Sequence, residues 1–288
     1  MSLKIYPDHA NWIGLARGSE DQAAFEDLIR AGHKAVLSFP QVLELANTPE
    51  AAAAGTAQYM DRVAQMGGAI WIRGLRQLRK REAIAAFETW LTGTRIFVEP
   101  FAPTFSDALA GQVSWENIEE TRTYSVERIS KLLRRNEALP DHKKIRTFYP
   151  KAQAAVGALR RGRRQLRFAD LEKRRWIASE IPDRIELQSG LQIEVSPERK
   201  AEFATAVDMS ICPAFRATFA VYEGRNLSGS VGKPSDVEDL LHVVGPAYCD
   251  VAFVDKQTYN VLATGRFFPL PKRNGEFSTW LKDEQQRL

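Results

Sequence analysis

Cysteine is scarce in this chain of 288 residues, which contains only Cys212 and Cys249. Two cysteines cannot build a disulfide framework, and neither belongs to a C-x-x-C pair that would bind zinc. No apolar run approaches the roughly 20 residues that span a bilayer, and the first residues lack the apolar core of a signal peptide. The sequence therefore predicts a cytoplasmic protein with reduced thiols and no membrane span.

Motifs that cradle nucleotides or activate a serine are also missing. The chain has no G-x-x-x-x-G-K-[ST] loop, no G-x-G-x-x-G segment and no G-x-S-x-G elbow. These absences argue against nucleotide-driven chemistry and against a serine hydrolase of the α/β type. With 44% hydrophobic and 26% charged residues, the composition is that of a folded globular protein.

Positive charge is concentrated in the middle of the chain. Of the 40 Lys and Arg and the 36 Asp and Glu residues, 17 and 5 lie between Thr121 and Trp176, so this segment carries +12 and the remainder −8. Such a field favours contact with a phosphate backbone, although an acidic protein partner or a solvated face would also explain it. The residues predicted to contact nucleic acid are Arg160, Arg161, Arg163, Arg164, Arg167, Lys173, Arg174 and Arg175.

Apolar periodicity and capping residues predict alternating strands and helices. Strands are predicted at 3–7, 34–39, 69–72, 94–98, 217–222 and 251–254, and helices at 19–32, 40–46, 50–66, 84–91, 198–207, 234–246 and 256–262, with a hairpin or loop at 186–195. This alternation is typical of an α/β fold with a doubly wound parallel sheet. The predicted core comprises residues 1–105 and 205–288, interrupted by a mostly helical, basic insertion at 106–204.

Acidic residues stand where such a sheet would present them to a common site. Asp8 follows the first strand, and Glu44 lies early in the helix after the second strand. Asp236 and Asp239 are three residues apart and share a helix face, and Asp255 ends the last clear strand. Converging carboxylates favour Mg²⁺ or Mn²⁺, which neutralise them and bind oxygen ligands.

The order of these acids resembles that of the PIN-like domains, which are metal-dependent ribonucleases and in many cases toxins of toxin–antitoxin pairs. The stretches that carry the resemblance are I-Y-P-D at 5–8, L-S-F-P-Q-V-L-E-L at 37–45, S-D-V-E-D-L-L-H at 235–242 and A-Y-C-D-V-A-F-V-D at 247–255. The resemblance implies a PIN-like core that hydrolyses RNA, or DNA, through metal-activated water, and a possible antitoxin-like partner or oligomer. Carried over by position, Asp8, Glu44, Asp239 and Asp255 would bind the metal, and Asp236 would assist catalysis.

The chain also departs from the family pattern at two places. His9 and Ala10 precede Asn11 where the family usually has a hydroxyl residue and then Asn, and Val254 precedes Asp255 where the family usually has Thr. Lost outer-shell groups typically cost 10–100-fold in metal affinity or activity. The alternative hypothesis is therefore a catalytically inactive PIN-like module that binds nucleic acid or a protein; a third is another doubly wound hydrolase.

Two histidines lie beside the predicted ligands. His242 shares the late helix with Asp239 and either lines the site or, as is commoner for a helix histidine, is hydrogen-bonded within the core. His9 follows Asp8 directly and is expected on the opposite side of an extended chain. The predicted ligand set is therefore made of carboxylates alone.

Overall fold

The structure, a computed structural model, describes residues 2–102, 104–109, 125–134, 167–228 and 241–288. Six strands form one sheet in the order β4-β3-β2-β1-β7-β8, and β5 and β6 form a separate hairpin. The strands are β1 (Lys4–Tyr6), β2 (Lys34–Leu37), β3 (Ala69–Ile72), β4 (Phe101–Ala102), β5 (Arg184–Glu186), β6 (Gln192–Glu194), β7 (Val251–Val254) and β8 (Lys272–Arg273).

Helices connect these strands and cover the sheet. They are α1 (His9–Ala16), α2 (Glu20–Arg30), α3 (Phe39–Asn47), α4 (Glu50–Gln65), α5 (Leu75–Thr92), α6 (Phe105–Leu109), α7 (Val126–Arg134), α8 (Asp170–Ser179), α9 (Pro197–Ala206), α10 (Pro213–Ser228), α11 (Val244–Tyr248), α12 (Lys256–Thr264) and α13 (Phe277–Gln285). Short 3₁₀ turns lie at Met209–Ile211 and Asn274–Glu276. Across the described ranges, no helix is both long and apolar enough to cross a membrane.

The sheet is parallel except at one edge. Strand β1 pairs in parallel with β2 and β7, and β2–β3 and β7–β8 are also parallel, whereas β4 runs antiparallel to β3. The chain builds outward from β1 to β3 and later continues on the other side of β1 with β7 and β8. This arrangement confirms the predicted α/β class with a mostly parallel sheet. It also places a topological switch point at the carboxyl ends of β1 and β7, where doubly wound sheets bind ligands.

Strand residues alternate between two cores, as a period of two requires. Ile5 packs in a first core with helices α1–α4, α7 and α13, whereas Tyr6 packs in a second core with α5, α10, α11 and α12. Phe253 and Ala252 divide between the two cores in the same way. Burial on both faces explains why these strands read as short, uninterrupted apolar runs.

The described parts of the predicted insertion pack against the core. Helix α7 lies on α3 and α4, and Val126 and Ile129 join the first core. Helices α8 and α9 and the β5–β6 hairpin form a third core against the outer faces of α5 and α10, where Phe87, Phe203 and Phe215 meet. Helix α10 is therefore enclosed between the second and third cores.

Two predicted strands are wrong. Residues 217–222 belong to helix α10, whose small residues face the second core while Phe215 and Phe219 face the third. A helix buried on two faces loses the amphipathic period and resembles a buried strand in sequence. Residues 94–98 pair with no strand of the described ranges, because α5 extends to Thr92 and the Ile96 N–H donates to the Thr89 hydroxyl at 3.0 Å. The edge strand begins later, at Phe101.

Two glycines allow α10 and α12 to approach closely. A Cβ placed on Gly265 would collide with the backbone carbonyl of Ala220, and one on Gly224 would collide with that of Val261. Gly265→Ala is therefore expected to lower the free energy of unfolding by at least about 2 kcal/mol, since backbone cannot move aside as a flexible side chain can. Urea denaturation measures this. The control Gly275→Ala, where a Cβ meets nothing within 4 Å, should change stability by less than about 0.5 kcal/mol.

Candidate metal centre

Three potential ligands converge beyond the carboxyl ends of the parallel strands. Asp8 follows β1 and is the N-cap of α1, Glu44 lies in α3, and His242 lies in the helical turn that precedes α11. One ligand atom from each residue lies within 4.8 Å of those of the other two, the one such group of acids, histidines or cysteines in the described ranges. The structure thus brings Asp8 and Glu44 together and adds a histidine to them.

Two asparagines orient Asp8. The amide of Asn274, which follows β8, donates a hydrogen bond to Asp8 Oδ2. The Asp8 backbone N–H donates to Asn11 Oδ1 at 3.1 Å, and the Asn11 amide donates to the Asn274 carbonyl at 3.4 Å. Burial raises the pKa of Asp8 above its ordinary value, although the charge of His242 and the bond from Asn274 partly oppose the rise. The metal-free fold therefore holds an ionised Asp8 at a cost.

A buried hydrogen-bond chain fixes the His242 ring. Its Nδ1 lies 2.9 Å from the Tyr6 hydroxyl, which in turn lies 2.9 Å from the Ser38 hydroxyl. Its Nε2 lies on the opposite side of the ring, 3.3 Å from Glu44 Oε1. Tyr6 and Ser38 are both almost fully buried, and burial raises the pKa of Tyr6 well above its ordinary value, so the phenol keeps its proton.

The second oxygen of Glu44 faces another histidine. His9 Nδ1 lies 4.0 Å from Glu44 Oε2, and His9 Nε2 lies 3.0 Å from the Thr48 hydroxyl. The Thr48 hydroxyl donates its single proton to the Glu44 carbonyl at 2.8 Å. The His9 Nε2–H must therefore be the donor to Thr48, which leaves a lone pair on Nδ1 when the ring is neutral. Burial favours that neutral form, because it lowers the pKa of His9.

This arrangement fits a bound cation. Glu44 Oε2 and His9 Nδ1 are both buried and have no hydrogen-bond partner among the described residues. Burial raises the pKa of Glu44, but the nearby His242 and His9 outweigh it, and the pKa lies below its ordinary value. Glu44 is thus ionised, and its Oε2 has no hydrogen-bond donor among the described residues. A cation held by Glu44 with Asp8 and His242 would satisfy a buried carboxylate oxygen that the protein leaves unpaired.

Asp255 caps a helix in the structure, and its assignment as a metal ligand stays a prediction. It is the N-cap of α12, where Oδ1 accepts hydrogen bonds from the backbone N–H groups of Gln257 at 2.6 Å and Thr258 at 3.0 Å. Its Oδ2 accepts the Thr258 hydroxyl, and Asp255 is not part of the three-residue group. Asp236 and Asp239 lie outside the described residues, so their assignment as ligands stays a prediction.

Half of the residues predicted to contact nucleic acid are described, and most of these have structural partners. Arg167 and Lys173 pair with the buried carboxylate of Glu223 at 3.4 Å and 2.8 Å. Arg174 donates to a backbone carbonyl of α9 at 2.7 Å, while Arg175 is exposed. The others lie outside the described residues: Arg160, Arg161, Arg163 and Arg164.

Sequence reasoning missed several groups around this centre. Both alternatives for His242 apply, since it is hydrogen-bonded to Tyr6 in the core and also belongs to the three-residue group. Its position three residues after Asp239, on the same helix face, is the feature of the sequence that indicates a place near the site. The expected placement of His9 is wrong, because the helix begins at that residue and turns the ring toward Glu44. Nothing local marks Asn274, which reaches Asp8 only because β8 adds to the sheet beside β7.

Comparisons of the chain with protein-family models, with curated proteins and with solved structures gave no match in any of the three. The similarity to PIN-like domains therefore depends on the quoted sequence stretches. The geometry of the centre stands independently of that similarity, because it is set by distances and hydrogen bonds within this chain.

Proposed function

We propose that the protein is a divalent-metal-dependent phosphodiesterase of the PIN-like type that hydrolyses RNA with Mg²⁺ or Mn²⁺. The observation that carries this proposal is the convergence of Asp8, Glu44 and His242 at the switch point of a mostly parallel sheet. In doubly wound sheets, ligands bind at that position.

The residues of the chain supply binding and orientation. Asp8, Glu44 and His242 hold the cation, while Asn274 and Tyr6 fix the rotamers of Asp8 and His242. A bound divalent cation would lower the pKa of water and stabilise the negative charge that develops on a phosphodiester during hydrolysis. The protein contributes a preformed site, so little reorganisation accompanies the reaction.

Positive charge flanks the acidic centre and supports an anionic substrate. Lys256 follows Asp255 at the carboxyl end of β7, and Lys272 and Arg273 form β8; all three are exposed. Arg273 precedes Asn274, which contacts Asp8, and its guanidinium lies 4.4 Å from the ring centroid of Tyr259. Together with the +12 segment between residues 121 and 176, these cations favour a phosphate backbone, and their effect should weaken with salt.

Metal-dependent cleavage of end-labelled single-stranded RNA tests the proposal. Protein stripped with a chelator should be inactive, and Mn²⁺ or Mg²⁺ should restore cleavage. Glu44→Gln should reduce the restored rate by at least about 100-fold, because direct ligands matter more than the outer-shell groups whose loss costs 10–100-fold. Cleavage that persists in chelator, or that Glu44→Gln leaves unchanged, would refute the assignment.

Matched controls separate loss of the site from loss of the fold. Glu50→Gln makes the same chemical change at an exposed position at the start of α4 and should retain full activity. Thermal unfolding of both variants reports their integrity. If the protein binds Mn²⁺ and RNA but cleaves neither RNA nor DNA, the inactive binding module replaces the enzyme as the function.

A further inference from the structure

We infer that the centre selects a first-row transition-metal ion such as Mn²⁺ over Mg²⁺, with His242 Nε2 as a direct ligand. This inference rests on the proposed site and narrows the identity of its cation. Mg²⁺ takes oxygen ligands and retains water, whereas an imidazole nitrogen suits Mn²⁺, Fe²⁺, Co²⁺ and Zn²⁺ increasingly well. The family resemblance implies carboxylates alone, so the nitrogen donor is a property of this chain.

The distances support ligation by this nitrogen. His242 Nε2 and Glu44 Oε1 lie 3.3 Å apart. Two ligands with bonds of about 2.1 Å at about 90–110° to one another are separated by roughly 3.0–3.4 Å. The pair is therefore already spaced as neighbouring ligands of one ion, with an Asp8 oxygen inside the same 4.8 Å group.

The surroundings of His242 also suit a metal ligand. The Tyr6 hydroxyl can accept the Nδ1–H of His242 while it donates to Ser38, which leaves the Nε2 lone pair directed toward Glu44. Metal-bound histidines typically use their second ring nitrogen in this way, and the bond fixes both tautomer and orientation. The His242 side chain is only 7% exposed, so water has little access to the ring.

His9 provides the matched control. It is a second imidazole beside Glu44, but its Nδ1 is 4.0 Å from Glu44 Oε2 and it lies outside the three-residue group. Its substitution removes a ring of the same chemistry from the same neighbourhood. A ligand role for His242 therefore predicts different spectra for the two histidine variants.

Pulsed electron paramagnetic resonance of the full chain loaded with Mn²⁺ tests the inference, because a coordinated imidazole nitrogen modulates the echo. The wild type and His9→Gln should show ¹⁴N modulation, and His242→Gln should lose it while circular dichroism stays unchanged. By calorimetry, the wild type should bind Mn²⁺ more tightly than Mg²⁺, and His242→Gln should narrow that ratio by at least about tenfold.

The outcomes distinguish the inference from the proposed function. Absence of ¹⁴N modulation in the wild type, or its loss in His9→Gln instead of His242→Gln, overturns the inference even if the protein cleaves RNA. Modulation that requires His242 supports the inference even if no nuclease activity is found, in which case only the enzymatic assignment fails.

Discussion

Asp8→Asn is expected to weaken Mn²⁺ binding by at least about 100-fold and to abolish turnover, with the fold retained. The substitution removes the charge of one proposed ligand from the three-residue group, a larger loss than that of an outer-shell partner. Isothermal titration with Mn²⁺ measures the effect directly. Unchanged affinity would exclude Asp8 as a ligand and with it the proposed site.

The fold should tolerate this change for two reasons. Asparagine is about as good an N-cap as aspartate, so the start of α1 is preserved. Burial raises the pKa of Asp8, so the carboxylate charge already opposes folding at neutral pH when no cation is bound. Urea denaturation of the metal-free protein should therefore show that Asp8→Asn is at least as stable as the wild type.

Asp255→Asn is the matched control, because it makes the same change at another N-cap beyond a neighbouring strand. Both carboxylate oxygens of Asp255 accept hydrogen bonds from Gln257 or Thr258. We therefore expect this variant to retain its affinity for Mn²⁺. Loss of binding in this variant would instead make Asp255 a ligand, as the resemblance to PIN-like domains implies.

Glu82 is expected to make stability fall as pH rises. This residue of α5 is fully buried, and its carboxylate accepts hydrogen bonds from the Ala214 N–H at 2.6 Å, the Phe215 N–H at 3.1 Å and the Tyr248 hydroxyl. It thus caps α10 from a distant part of the chain and ties α10 to α11, the helix that follows His242. Burial outweighs these bonds and raises the pKa of Glu82 from 4.5 to about 7.

The sign of the pH dependence follows from that shift. Between pH 4.5 and about 7 the folded state holds a proton on Glu82 that the unfolded state has released. The stabilisation is complete below pH 4.5 and is lost as pH rises through 7, by roughly 3 kcal/mol for a shift of this size. Denaturation in urea at pH 5 and pH 8, with a chelator present, should show this loss in the wild type, and Glu82→Gln should remove it.

Tyr248→Phe should enlarge the loss of stability between pH 5 and pH 8, whereas Glu82→Gln should remove it. The Tyr248 hydroxyl lowers the pKa of Glu82, so its removal should raise that pKa further and enlarge the loss of stability toward alkaline pH. Glu82→Gln also leaves a backbone N–H with a poorer acceptor, which costs about 1–3 kcal/mol at every pH. The slope with pH is therefore the diagnostic quantity, and equal slopes in all three proteins would contradict the assignment.

Much of the sheet could be predicted because its central strands are defined locally. Strands β1, β2, β3 and β7 are short apolar runs bounded by turn or capping residues, and they occur where predicted. Asp8 and Glu44 follow β1 and β2, and parallel pairing brings the carboxyl ends of those strands to one edge. Their convergence was therefore foreseeable without the structure.

Other features depend on partners far away in sequence. Residues 217–222 of helix α10 resemble a strand in sequence because two cores cover the helix. Its N-terminus is capped by Glu82, and that of α7 by Asp61, which accepts from the Val126 and Glu127 N–H groups at 2.6 Å and 3.2 Å. An N-cap is recognised in sequence by a residue directly before the helix. Caps that come from a distant segment cannot be recognised in this way.

The sequence by itself determined the class of fold and the first two acids of the site, because strand period, capping and strand-end position are local properties. Only the tertiary structure decided the composition of the centre. It places His242 beside Asp8 and Glu44 and turns the His9 ring toward Glu44. It also makes Asp255 the N-cap of α12. The surroundings of an acid depend on which hydrogen-bond donors and potential ligands the fold brings within about 3 Å of it, and that proximity is set by packing rather than by the neighbouring residues.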